Sequence, residues 1–228
     1  MAASTIVFDL DGTLIDTAPD LVDTLNVVFA REGLPPVPYD TARKLIGGGA
    51  RLMIARGLEA EGRTLASAEL ERLFREFIAY YGEHIADRSR PFPGLTEALD
   101  TLSGRAYRLA VCTNKLERLS MLLLRKLGLA NRFVAICGQD TFGIQKPDPD
   151  ILRRTILAAG GEPQNAIMIG DSINDMLVAR AAGVPVIAVD FGYSERPVSE
   201  YEPDRIIGHF EQLPAAIDAL SYAPERQK

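Results

Sequence analysis

The sequence has no tryptophan, only two histidines and only two cysteines in 228 residues. Cys112 and Cys137 are too few for a disulfide scaffold, so a reducing compartment is expected. His84 and His209 lie far apart and give no basis for a histidine-rich metal site or a phosphohistidine. An excess of positive charge is also missing. Lys and Arg number 25 against 31 Asp and Glu, a formal charge of −6. With no basic block for a phosphate backbone, nucleic acid is not an expected partner. No apolar run reaches membrane-spanning length, so no membrane partner is expected. Met1–Thr5 shows no charged start followed by an apolar stretch, so no leader is expected and the chain reads as cytoplasmic.

What is present is a globular composition, 47% hydrophobic and 25% charged. The length suits one large α/β domain or a core with a small insert. Short apolar runs read as buried strands: Thr5–Phe8, Leu109–Cys112, Phe133–Cys137, Ala166–Ile169, Val184–Val189 and, more weakly, Ile206–Ile207. Helical patterns lie between them: Glu117–Leu127, Pro149–Ala159 and Asn174–Ala182, each stopped by glycine. Strands alternating with helices predict a Rossmann-like, doubly wound parallel sheet. Residues 16–90 break the rhythm. They hold Leu21, Leu25, Val28 and Phe29 at helical spacing, a proline-rich turn, Gly47-Gly48-Gly49 and a long amphipathic stretch, Glu69–Ile85. This predicts an all-helical cap inserted between core segments 1–15 and 91–220, with a polar, disordered tail over 221–228.

Four features follow different expected strands, whose ends converge on one crevice in such a sheet. Asp9 and Asp11, with Gly12 between them and Thr13, could supply a nucleophile and an acid/base; the same residues also read as a turn. Asp171 and Asp175, one helical turn apart, suit Mg²⁺, or else simple helix capping. Thr113 and Asn114 could anchor an anion or cap a helix. Lys146, held between a loop and prolines, could neutralise a phosphoryl group or be a solvated lysine. Together they form the set that phosphoryl transfer needs.

In this order the residues resemble the four motifs of the haloacid dehalogenase superfamily, and the resemblance spans nearly the whole chain. It implies that Asp9 is a nucleophile forming an aspartyl-phosphate. Asp11 would protonate the leaving group and then activate water. Mg²⁺ would be held by Asp9, the Asp11 main-chain carbonyl and Asp171, with Asp175 ordering a metal-bound water. Thr113, Asn114 and Lys146 would hold the phosphoryl group. The segments Phe8–Leu21, Gly47–Leu58 and Val111–Lys115 resemble bacterial phosphatases of 2-phosphoglycolate, which makes a small phosphorylated metabolite the expected partner of a monomer or homodimer. Asp11 argues against the dehalogenase and phosphonatase branches, and Leu21 stands where the mutase branch carries histidine.

Substrate choice is expected in the cap, where Gly47, Gly48, Gly49 and Arg51 could hold a carboxylate. Arg43 and Lys44 read as solvated. Three rivals can be set beside this reading, and the first is rejected. Cys112 and Arg118 fit the spacing of cysteine-dependent phosphatases but lack glycine between them. The same core chemistry could serve a sugar phosphate or pyrophosphate. A non-catalytic binding module could keep the fold.

Overall fold

The computed structural model describes residues 5–63 and 66–221. The first strand, β1 (Thr5–Phe8), is wholly buried. Its side chains alternate between two apolar clusters: Ile6 and Phe8 join one, Val7 the other. A strand buried on both faces must be covered by helices on both, which is the condition for a parallel sheet.

The chain then makes a two-residue strand, β2 (Ile15–Asp16), and enters four helices, α1 (Ala18–Arg31), α2 (Tyr39–Arg43), α3 (Ala50–Ala60) and α4 (Ser67–His84). It returns through a second short strand, β3 (Arg90–Pro91), which pairs antiparallel with β2. The insert is therefore helical between its ends, and a two-strand ribbon, absent from an all-helical expectation, joins those ends. Asp20 reinforces the ribbon. Its buried carboxylate accepts from the Arg88 N–H at 3.0 Å and from the Ser89 N–H and hydroxyl at 2.8 and 2.6 Å. Within the insert, Leu73, Phe77 and Tyr81 recur every four residues on α4 and are buried against the apolar stripe of α1.

After β3 come α5 (Leu95–Gly104), β4 (Arg108–Cys112), α6 (Glu117–Lys126), β5 (Ala135–Cys137), α7 (Pro149–Ala158), β6 (Ala166–Gly170), α8 (Ile173–Ala182), β7 (Val186–Val189), β8 (Arg205–Ile207) and α9 (Leu213–Ser221). The main sheet has the order β5-β4-β1-β6-β7-β8, parallel throughout. Apolar residues of α7 and α8 cover one face, and those of α5, α6 and α9 the other. The expected strands at 133–137 and 184–189 are shorter than their apolar runs, because Phe133 closes a 3-10 turn and Val184 follows the Gly183 helix stop. Helices α5 and α9 fall where no helix was expected. Ser221 ends α9, and the rest of the expected tail, 222–228, lies outside the described residues. Among the described residues no helix is long and apolar enough to cross a membrane.

β1 sits centrally, with β4 on one side and β6 on the other. The chain reverses direction across the sheet there, so the carboxyl ends of these strands open one crevice.

Candidate active site

Asp9 follows β1 directly. Its N–H donates to the Ile169 carbonyl at 2.9 Å, so the sheet holds it in place. Two groups approach its Oδ1: the Leu10 N–H at 2.7 Å and Lys146 Nζ at 2.9 Å. Gly12 then turns the chain with φ +85°, and a Cβ there would lie 2.4 Å from Asp171 Oδ2. Both the backbone sign and the space demand glycine. The turn delivers the Thr13 hydroxyl to Asp171 Oδ1 at 2.8 Å.

Asp171 follows β6. Its Oδ2 accepts the Tyr193 N–H at 2.7 Å, so both oxygens are fixed. Asp175 lies one turn into α8. Its Oδ1 takes Lys146 Nζ at 2.6 Å, and its Oδ2 takes the Asp171 and Ser172 N–H groups and the Ser172 hydroxyl. Asp175 thus completes a capping box and also anchors Lys146. A Cβ on Gly170 would lie 2.3 Å from the Asp175 Cβ, so this close approach again needs glycine.

Lys146 is 2% exposed, bridges Asp9 and Asp175, and is not a solvated lysine. Its main chain is gripped by Asn114, whose Oδ1 accepts the Lys146 N–H at 2.8 Å and whose Nδ2 reaches the Lys146 and Gly47 carbonyls at 3.2 Å. Thr113 is buried after β4, its N–H bonded to the Cys137 carbonyl.

Charge is concentrated here. Burial pushes the Asp9 carboxyl up to about 7; Lys146 opposes the rise and Asp175 adds to it. Burial, then Asp175 and Asp9, pushes Asp171 up to about 8. Burial works against the Lys146 ammonium, but Asp175 and Asp9 outweigh it and raise its pKa. Asp9, Asp171 and Asp175 each offer an oxygen, all within 4.8 Å of one another. Three buried carboxylates facing one lysine leave an excess of negative charge that a cation would neutralise. An all-oxygen donor set suits a hard divalent cation. Asp175 turns one oxygen to the Lys146 ammonium and the other to three donors at the start of α8, whereas Asp171 meets one neutral donor on each oxygen and Asp9 engages Oδ1, so Asp9 and Asp171 are the side chains that fit best as ligands.

Above the cluster lies a narrow cleft of about 40 Å³, lined by Asp9, Asp11, Thr113, Asn114 and Lys115 from the core, and by apolar side chains of α1, α3 and α4. Lys115 was not anticipated as a site residue. Its Nζ lies 2.9 Å from Asp11 Oδ1 and 2.9 Å from the Tyr81 hydroxyl.

A family model for haloacid dehalogenase-like hydrolases matches residues 6–189, which include every residue placed in the site above except Tyr193. The chain belongs to that family. It is 49% identical over 213 residues to the phosphoglycolate phosphatase of Mesorhizobium japonicum, covering 93% of this chain and 94% of that relative. It is 46% identical to the phosphoglycolate phosphatase of Caulobacter vibrioides over 97% of this chain and 94% of the relative. A crystal structure described as a predicted phosphoglycolate phosphatase from Haemophilus somnus superposes with TM-score 0.88 at 30% identity, over 94% of this chain and 98% of that one.

The haloacid dehalogenase-like core thus brings Asp9, Asp11, Thr113, Asn114, Lys146, Asp171 and Asp175 together. The cap residues divide. Gly47 and Gly49 line the cleft, and Gly48 and Arg51 do not. Arg51 is half exposed, pairs with Glu71 at 2.9 Å and stacks over the Phe74 ring. Its charge is already matched on the cap surface. Arg43, expected to be solvated, instead reaches the Phe191 and Gly192 carbonyls at 3.2 and 2.7 Å and lies over the Tyr193 ring. Cys112 is fully buried, and burial pushes its thiol up to about 12, so it cannot serve as a thiolate nucleophile. His84 stacks on Tyr80 and pairs with Asp87, away from the cleft. The family signal could not reveal Tyr193, which acts through its main-chain N–H.

Proposed function

We propose that this chain is a Mg²⁺-dependent phosphatase that hydrolyses 2-phosphoglycolate to glycolate and phosphate. The observation that carries the reading is the Asp9 carboxylate held at the end of β1 beside Lys146 and Asp171, with Asp11 on the same turn lining the same cleft. The named relatives supply the substrate.

Asp9 attacks phosphorus, and the bond to the ester oxygen breaks as the aspartyl-phosphate forms. The Asp11 carboxyl gives its proton to the departing alkoxide, so glycolate leaves as the alcohol. Asp11, now ionised, takes a proton from a water that attacks the aspartyl-phosphate, and Asp9 is released with free phosphate. Lys146 balances charge on the phosphoryl oxygens throughout, and the Thr113 hydroxyl with the Asn114 N–H orients them. Asp9 and Asp171, with the Asp11 carbonyl, would hold Mg²⁺, which supplies charge neutralisation for a carboxylate approaching a phosphate dianion. Segment 16–90 acts as a cap that excludes bulk water, swinging on the ribbon formed by β2 and β3.

Phosphate release from 2-phosphoglycolate, hexose and pentose phosphates and pyrophosphate, with Mg²⁺ and with EDTA, tests this. Metal-dependent release led by 2-phosphoglycolate is expected. Asp9→Asn should lower kcat by roughly 10⁴-fold or more, because an amide cannot form the intermediate. Near-normal turnover in that variant defeats the mechanism, and a lead by another ester defeats the substrate assignment.

A further inference from the structure

The described residues lining the cleft include a single cationic side chain, Lys115. It follows Thr113 and Asn114 on the loop after β4, yet its ammonium reaches across to the cap. Nζ lies 2.9 and 3.2 Å from the two Asp11 oxygens, 2.9 Å from the Tyr81 hydroxyl and 4.4 Å from the Tyr81 ring centre. The side chain is only 6% exposed. Much of the wall around it is apolar, including Leu21, Ile46, Met53 and Leu119.

We propose that Lys115, with the Tyr81 hydroxyl, is the specificity site that receives the substrate's second anionic group, a carboxylate placed next to the scissile ester. The proposal rests on the phosphatase function argued above and deepens it. A carboxylate entering an apolar cleft needs a charged, hydrogen-bonding partner or its desolvation opposes binding. Arg51 does not line the cleft and Lys115 does, so Lys115 is the group placed to meet this need. Distance makes the same selection. In 2-phosphoglycolate only the ester oxygen and one methylene separate phosphorus from the carboxyl carbon. The counter-cation must therefore sit beside the group that protonates the ester oxygen. Lys115 contacts that group, Asp11. Tyr81 adds a neutral donor from the cap, so the carboxylate is gripped from both sides only when α4 lies over the core. An ester with an uncharged tail gains nothing from the ammonium or the Tyr81 hydroxyl, so the site favours the charged substrate.

The test compares kcat/KM for 2-phosphoglycolate with that for ethyl phosphate, which has a methyl group in place of the carboxylate. In Lys115→Met the ratio should fall about 100-fold, the scale of a lost charged hydrogen bond. In Tyr81→Phe, which keeps the ring, it should fall by about 3-fold or more, and this variant decides the matter if Lys115→Met does not fold. Asp9-dependent hydrolysis of 2-phosphoglycolate with a ratio that moves less than about 3-fold in both variants overturns the Lys115 assignment alone. Equal losses on both esters also overturn it, since they place Lys115 behind Asp11 and not on the carboxylate. Absence of 2-phosphoglycolate hydrolysis by the unaltered chain defeats the proposed function first.

Discussion

Asp171 places a buried carboxyl in a setting that would also accept an amide. Its Oδ2 takes the Tyr193 N–H and its Oδ1 takes the Thr13 hydroxyl. In Asp171→Asn the amide oxygen can still accept from Tyr193. The amide nitrogen can donate to the Thr13 hydroxyl, which rotates to accept. The substitution therefore removes one of three clustered carboxylates while keeping a partner for each of those two contacts. At pH 9, above the value near 8 to which Asp171 is pushed, the metal-free variant should melt about 2–4 °C higher than the unaltered chain. Phosphate release with Mg²⁺ should fall about 100-fold or more. Thermal melts in EDTA beside an activity assay check both, and a lower melting point would show that the cluster carries no excess charge. The same residues show what could be read without coordinates. Asp9, Asp11, Lys146 and Asp171 were legible because each is a chemistry-bearing side chain at the end of an expected strand. Arg51 misled because its neutralising partner, Glu71, sits on a different helix, and no local pattern announces such a pair. Lys115 stood in plain sight beside Thr113, but only the packing of α4 shows that it meets Tyr81 and Asp11.

Elements differ in legibility for a related reason. The core strands other than the edge strand β8 are mostly apolar runs buried on both faces, so composition marks them. The ribbon where the chain enters and leaves the insert has two residues in each strand, too few for any periodicity. Its strength comes from long-range partners. Asp20 opens α1, and its carboxylate is buried among the Arg88 N–H, the Ser89 N–H and the Ser89 hydroxyl, 68 and 69 positions further on. In sequence it looks like an ordinary acidic residue in a first helical turn. Asp20→Ala leaves those three donors without an acceptor, and it should cost about 2–3 kcal/mol. For a chain of this length that lowers the melting temperature by roughly 5–10 °C. A hinge role adds a second signature: KM should rise while the burst of Asp9 phosphorylation, if resolved, keeps its amplitude. A change below about 0.5 kcal/mol, the range of an ordinary surface substitution, would remove Asp20 from the hinge.

At the scale of the whole molecule, sheet, insert and site are joined through one charge problem. The parallel sheet brings the ends of β1 and β6 together, which buries Asp9 and Asp171 beside Asp175 with Lys146 alone to balance them. The folded chain holds the carboxyls of Asp9 and Asp171 near 7 and near 8, each raised from 3.8. Between pH 4 and pH 8 the native state therefore binds more protons than the unfolded chain. Stability contributed by these groups must fall as pH rises through that window, and level off above it. A divalent cation held by Asp9 and Asp171 would need them deprotonated, so it would compete with those protons and be held more tightly as pH rises. Metal-free protein should accordingly melt at a lower temperature at pH 8.5 than at pH 6. Adding millimolar Mg²⁺ should raise the melting temperature at both, and more at pH 8.5. Asp9→Asn combined with Asp171→Asn should flatten the metal-free dependence and erase most of the Mg²⁺ effect. Melting curves at the two pH values, with EDTA and with Mg²⁺, check each arm. A Mg²⁺ shift of the same size at pH 6 and pH 8.5 would mean that the cation binds away from the two titrating carboxylates.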